Sequence, residues 1–173
     1  MIHSRIIKKF SLILLFCSLF ISADASYIFI PMGENQNNHL KAYGIAYYAI
    51  ERDIKVDWLL NYQGGSFMIK YHNTIENECN IRGVTFNIIA DIQSTQILQS
   101  IASPSVNQDV VRLEKAPKIA IYSPKSKQPW DDAVTMALTY AEIPYEVIYD
   151  EEVLSNLLPL YDWLHLHHED FTG

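Results

Sequence analysis

The stretch Lys55-Val56-Asp57-Trp58-Leu59-Leu60-Asn61-Tyr62-Gln63-Gly64-Gly65-Ser66 decides how the chain is read, because an apolar strand runs directly into a glycine-rich turn. Working upstream, residues 27–31 form a short apolar strand and residues 32–38 a polar loop. Leu40, Tyr43, Tyr47 and Ile50 then recur at helical spacing. Strand, helix and strand together predict a β-α-β unit. Gln63-Gly64-Gly65-Ser66 would close it at the carboxyl end of the second strand, where open α/β sheets bind ligands. Backbone amides of such a turn can cradle an anion, which makes Ser66 a candidate binding residue. The alternative is a purely structural turn that uses glycine for positive φ.

Downstream, the pattern predicts a strand over 84–90, a helix over 92–102 and a short strand over 110–113, before the polar joint 114–117. A second block then begins. Residues 118–122 read as a strand, and Asp131 with Asp132 opens a helix whose Val134, Ala137, Leu138 and Ala141 share one face. Ile143-Pro144 ends that helix; residues 145–149 read as a strand, 151–158 as a short helix and 161–167 as a last strand. Alternating strands and helices predict an α/β fold, a Rossmann/flavodoxin-like parallel sheet with helices on both faces. The chain stops at Asp170-Phe171-Thr172-Gly173, just past a strand, so the sheet is expected to be truncated there, as part of a longer protein. The expected organisation is 1–25, 26–113 and 118–173.

Residues 1–25 read as an export signal. Arg5, Lys8 and Lys9 precede an uncharged stretch from Phe10 to Ile21, and Ala23-Asp24-Ala25 supplies a small-x-small cleavage site. That stretch is well short of the roughly 20 residues that span a bilayer. An exported location, periplasmic or extracellular, follows as an expectation. The whole chain of 173 residues is 49% hydrophobic and 19% charged, which excludes a disordered or collagen-like polymer. Its net charge is -7, and setting aside Arg5, Lys8, Lys9 and Asp24 leaves 10 basic and 19 acidic side chains. That sign disfavours nucleic acid and anionic lipid as partners. The expected partner is a small molecule or peptide of the cell envelope. Beyond the signal only Cys79 remains, so no intramolecular disulfide is possible, and its neighbours Glu78 and Asn80 offer no cation to activate a thiolate.

The densest chemical signal is Trp163-Leu164-His165-Leu166-His167-His168-Glu169-Asp170. On a strand, His165, His167 and Glu169 share a face while Leu164 and Leu166 take the other. Two imidazoles with carboxylates just beyond can bind a divalent metal, with His165 and His167 the candidate ligands. They can equally serve as general acid and base, which makes His165, His167 and Glu169 the candidate catalytic residues. His168 and Asp150 join Ser66 as candidate binding residues at strand ends. The plain alternative is a polar patch whose histidines bond to neighbouring strands.

Three stretches carry a family resemblance: His39-Leu40-Lys41-Ala42-Tyr43-Gly44-Ile45-Ala46-Tyr47, Val56 to Phe67, and Tyr161 to Gly173. They resemble a family of exported bacterial proteins often labelled asparagine synthetase B, across most of the chain beyond the signal. The label would imply glutamine-dependent asparagine synthesis. Gly64-Gly65-Ser66, however, lacks the aspartate of an ATP-binding Ser-Gly-Gly-x-Asp-Ser loop, so ATP is not an expected cofactor. The block from Lys118 to Asp170 is similar to the first half of class I glutamine amidotransferase-like domains. The resemblance implies an amidotransferase-like hydrolase or ligand-binding domain, and a non-catalytic envelope binding or assembly module is the competing class.

Overall fold

The computed structural model describes residues 25–124 and 132–166, and it folds them around two sheets rather than one. The elements run β1 (Ala25–Ile30), α1 (His39–Ile50), β2 (Val56–Leu60), β3 (Ser66–Lys70), α2 (Asn73–Arg82), β4 (Asn87–Ala90), α3 (Asp91–Ile101) and β5 (Asp109–Leu113). Then follow β6 (Ile119–Tyr122), α4 (Ala133–Ala141), β7 (Glu146–Ile148), α5 (Asp150–Leu154), a 3-10 turn at Leu158–Leu160 and β8 (Trp163–Leu166). The first sheet has strand order β4-β1-β3-β2-β5, and every pairing in it is antiparallel. The second has order β7-β6-β8, with both pairings parallel.

The fold is mixed α/β, and the expectation of a single parallel sheet is corrected in the first block. There β1, α1 and β2 do form a β-α-β crossover, but β3 lies between β1 and β2 and runs opposite to both. In the same way β1 lies between β3 and β4. The result is a β-α-β-β-α-β arrangement of two interleaved split units, the ferredoxin-like connectivity, with α3 and β5 added. The correction has a physical origin in Ser66–Lys70. Phe67, Met68 and Ile69 form a continuous apolar run buried on both faces, so the strand shows no alternation by which to be recognised. α2 escapes periodicity for the opposite reason, since only Ile75 and Cys79 are buried in it and its other apolar residue, Ile81, is exposed among polar side chains.

Alternation along each strand sorts the core into two layers. Ile28, Ile30, Val56, Phe67 and Ile69 meet Ala42, Ile45, Ala46 and Ala49 of α1 and Ile75 and Cys79 of α2. On the opposite face Phe29, Leu59, Met68 and Ile89 meet Ile101, Ile97 and Leu98 of α3. Asn38 starts α1 by accepting the Lys41 N–H through its side chain at 3.1 Å. Gly83, with φ of 66°, ends α2 in the left-handed conformation.

The two sheets meet through α1 and α4. Gly44 makes this possible, because a Cβ at that position would sit 1.9 Å from the carbonyl oxygen of Ala141. Around this contact Glu142 pairs with Lys41 and, at 3.3 Å, with Arg82. Asn38 donates to Tyr140 Oη at 2.7 Å, and Tyr47 Oη donates to Pro117 O at 2.9 Å. Among the described residues no helix is long and apolar enough to cross a membrane.

Candidate functional site

The second sheet matches the sequence reading closely, and it positions the site. β6 is its central strand; the chain leaves it through α4 to β7 on one side and returns through α5 to β8 on the other. Strand order therefore reverses at β6, and the crevice beyond the carboxyl ends of such strands is where open α/β sheets receive ligands.

His165 lies opposite Ile121 in the β6–β8 register, so the two side chains share a face. Ser123 falls two residues beyond Ile121 and its N–H continues the ladder to Ile148 O at 3.0 Å, which places its side chain on that same face. α4 covers this face through Leu138 and Val134 packed on Ile119 and Ile121. Asp132 caps α4, its Oδ2 accepting the Thr135 N–H at 3.3 Å, while Thr135 Oγ1 donates back to Asp132 O at 2.8 Å. The same Oδ2 lies 2.7 Å from His165 Nε2. A carboxylate only accepts, so His165 donates through Nε2 in this contact.

Ser123 shares the face of the sheet that carries His165. It is 1% exposed, and its Oγ has no hydrogen-bond partner among the described residues. A buried hydroxyl left unsatisfied costs about 1–3 kcal/mol, so its position at the carboxyl end of β6 calls for an explanation. The hydroxyl shares no hydrogen bond with His165 in this structure.

On the other face of β6, Tyr122 Oη donates to Asp150 Oδ1 at 2.6 Å, and the Tyr122 and Tyr149 rings lie 5.1 Å apart. Asp150 is thus at a strand end of the second sheet, on the opposite side from His165. Ser66 is elsewhere. It is fully buried in the first sheet, and its hydroxyl donates to Tyr62 O at 3.0 Å and Gln63 O at 3.1 Å, inside the turn. The turn itself is tight: Gln63, Gly64 and Gly65 have φ of 44°, 83° and 90°, and a Cβ on Gly64 would meet Met32 O at 2.3 Å.

His167, His168 and Glu169 lie outside the described residues, as does Asp131. Among the described residues no group of three or more histidine, cysteine or acidic side chains is arranged to hold a metal ion. Asp132, expected only as a cap, and Ser123 are the members that sequence reasoning missed as site residues. The usable signal was register: Ser123 follows the apolar strand 118–122 on the same parity as Ile121. Cys79 is fully buried, and burial pushes its thiol up to about 12, which keeps it a neutral thiol.

No family model, curated protein or solved structure matches this chain. The site must therefore be interpreted from its own chemistry.

Proposed function

We propose that the protein is an exported α/β protein that binds a small polar molecule or peptide of the cell envelope at the carboxyl end of β6, as an amidotransferase-like ligand-binding domain. The unpaired, buried hydroxyl of Ser123 carries this reading. It supplies a donor and acceptor with no partner among the described residues, on the sheet face where a carboxylate and an imidazole are already fixed by each other. Preorganised polar groups of this kind fix the orientation of a ligand at little ordering cost. Export rests on the signal-like pattern of residues 1–25, and the family resemblance supports an envelope role.

A second reading, hydrolysis, is favoured by one observation. Asp132 holds the His165 ring in one orientation through Nε2, and a ring in its neutral form would offer Nδ1 as a general base toward a bound water. The resemblance to amidotransferase-like domains selects the probe. Calorimetric titration with L-glutamine and L-asparagine is expected to show saturable binding to the protein, lost in Asp132→Asn. Ammonia release that disappears in His165→Ala would establish the hydrolytic reading. Absence of both binding and turnover with either amide would sink the amidotransferase-like proposal. Export is checked by fusing residues 1–25 to alkaline phosphatase; a fusion inactive in the periplasm would refute it.

A further inference from the structure

A second concave site lies on the first sheet, away from Ser123. The pairing register sets Tyr27 opposite Lys70, Met68 opposite Asp57, and Asp57 opposite Arg112, so these five side chains share one face. α3 packs on that face over Phe29, Leu59 and Ile89. The same face also carries a cavity of about 490 Å³ in whose lining α3 takes no part, walled by Tyr27, Tyr71, Ile54 and three cations, Lys55, Lys70 and Arg112. Its carboxylates are Asp53 and Asp57, and His72 is its one imidazole.

The donors around this cavity are only partly spent. The buried Asp57 carboxylate takes Arg112 Nε and Nη2 at 2.7 and 3.1 Å, which fixes the guanidinium plane while the arginine side chain stays 58% exposed. Nη1 makes no bond to the chain among the described residues, so its two N–H groups are left to face a ligand. Lys55 is paired with Glu114 at 2.9 Å. Lys70 has no ion-pair or hydrogen-bond partner among the described residues, and neither has the Tyr27 hydroxyl beside it. Asp53 is the one lining residue shared with a cleft of about 430 Å³ at the seam between the sheets, so it stands at the boundary of the two. It is exposed to water, and its repulsion of an anion is weak. A guanidinium held in place, an uncompensated ammonium and a phenol around one cavity are complementary to an oxyanion, and the tyrosine and isoleucine walls suit an apolar body attached to it.

We propose that this cavity binds a small organic oxyanion, its carboxylate or phosphate between Lys70 and the free edge of Arg112 and its apolar body against Tyr71 and Ile54. Benzoate and phenyl phosphate are the probes, with benzylamine as the cationic counterpart, followed through the amide shifts of Lys70, Tyr71 and Arg112. The anions saturate the site with dissociation constants on the order of 1 mM, as suits such small ligands. The tighter of the two tells a carboxylate ligand from a phosphate monoester. Benzylamine binds at least about tenfold more weakly, since its ammonium meets Lys70 and Arg112. Lys70→Met, at an exposed strand end, keeps the aliphatic stem and weakens the anions about three- to tenfold. Arg112→Lys keeps a charge for Asp57 but loses the fork, and weakens them about two- to fivefold. Asp53→Asn leaves them unchanged or improves them. L-Glutamine, whose ammonium sits beside its carboxylate and is repelled by Lys70, leaves these amides unshifted, so this site and the one at β6 are read apart. Failure of both anions to saturate, equal affinity for benzylamine, indifference to Lys70→Met and Arg112→Lys, or weakening in Asp53→Asn would each overturn the proposal.

Discussion

The two sheets use buried polar groups in different ways. In the first, Gln36 is buried and its side-chain amide is spent on Pro31 O at 2.7 Å, Thr85 O at 3.1 Å and the Thr85 N–H at 2.8 Å. Asp57 is buried beneath a two-bond contact from Arg112 at 2.7 and 3.1 Å, and Ser66 is spent within its turn. In the second sheet the hydroxyl of Ser123 is buried and has no partner among the described residues, on the face that carries the Asp132–His165 pair. A polar residue whose bonds are complete within the chain stabilises the fold. One that is buried and incomplete is the observation on which the proposed site in the smaller sheet rests.

The coverage of the sheets differs in the same sense. β3 is buried on both faces by α1 and α2 on one side and α3 on the other. β8 is an edge strand whose Trp163, Leu164 and Leu166 remain exposed. The smaller sheet therefore depends on its contact with α1 for part of its order. Gly44→Val tests this dependence and carries the largest expected effect. Its side chain drives α1 and α4 apart and destabilises the protein by about 1–3 kcal/mol. Hydrogen exchange is expected to show protection lost across α4 and kept in β3. Equal loss in both would mean that the two sheets unfold as one unit.

The next effect in size sharpens the polar contrast. Ser123→Ala removes an unsatisfied buried hydroxyl, so the ligand-free protein becomes more stable by about 1 kcal/mol while ligand binding weakens. The matched change in the first sheet, Ser66→Ala, lowers stability because it deletes completed bonds. Thermal melts of the two variants that moved in the same direction would erase the distinction.

Acid acts on the seam itself. The hydrogen bond from Lys41, reinforced by the charge of Arg82, holds the Glu142 carboxyl below its ordinary value of 4.5. A depressed acid contributes stability that is fully present above its unfolded value and is lost as pH falls through the folded one. Amide signals of Gly44 and Ala141 are therefore expected to stay fixed down to pH 4.5 and to shift below it. A shift already complete well above that pH would assign the titration to another group. The smallest effect concerns Cys79, whose thiol burial has pushed to about 12. The folded protein is expected to be inert to a disulfide reagent at neutral pH and reactive only in denaturant, which a thiol titration checks.

The sequence showed the second sheet more plainly than the first, for physical reasons. β6 and β7 are short strands bounded by strong punctuation, Pro117 before the first and Ile143-Pro144 before the second, and Asp132 announces α4 as its cap. In the first sheet the misreading came from β3, where Phe67-Met68-Ile69 is apolar on both faces and follows a glycine turn that looked like an end. Without β3, strands β1 and β2 appear to be neighbours and the sheet appears parallel. At the site, the strand parity of His165 was legible, but its partner was not. Asp132 lies 33 residues earlier, and only the parallel pairing of β6 with β8 brings the two together. Ser123 gave only its strand parity, because an unpaired hydroxyl is a property of the packed state.

The central claim, that the smaller sheet carries the binding site at the end of β6, is tested most directly by amide chemical-shift mapping during a titration with L-glutamine. The account predicts saturable shifts at Tyr122, Ser123, Asp132, Thr135 and His165, with β1 to β5 unchanged. Saturable shifts confined to the first sheet, or no shifts at all, would contradict it.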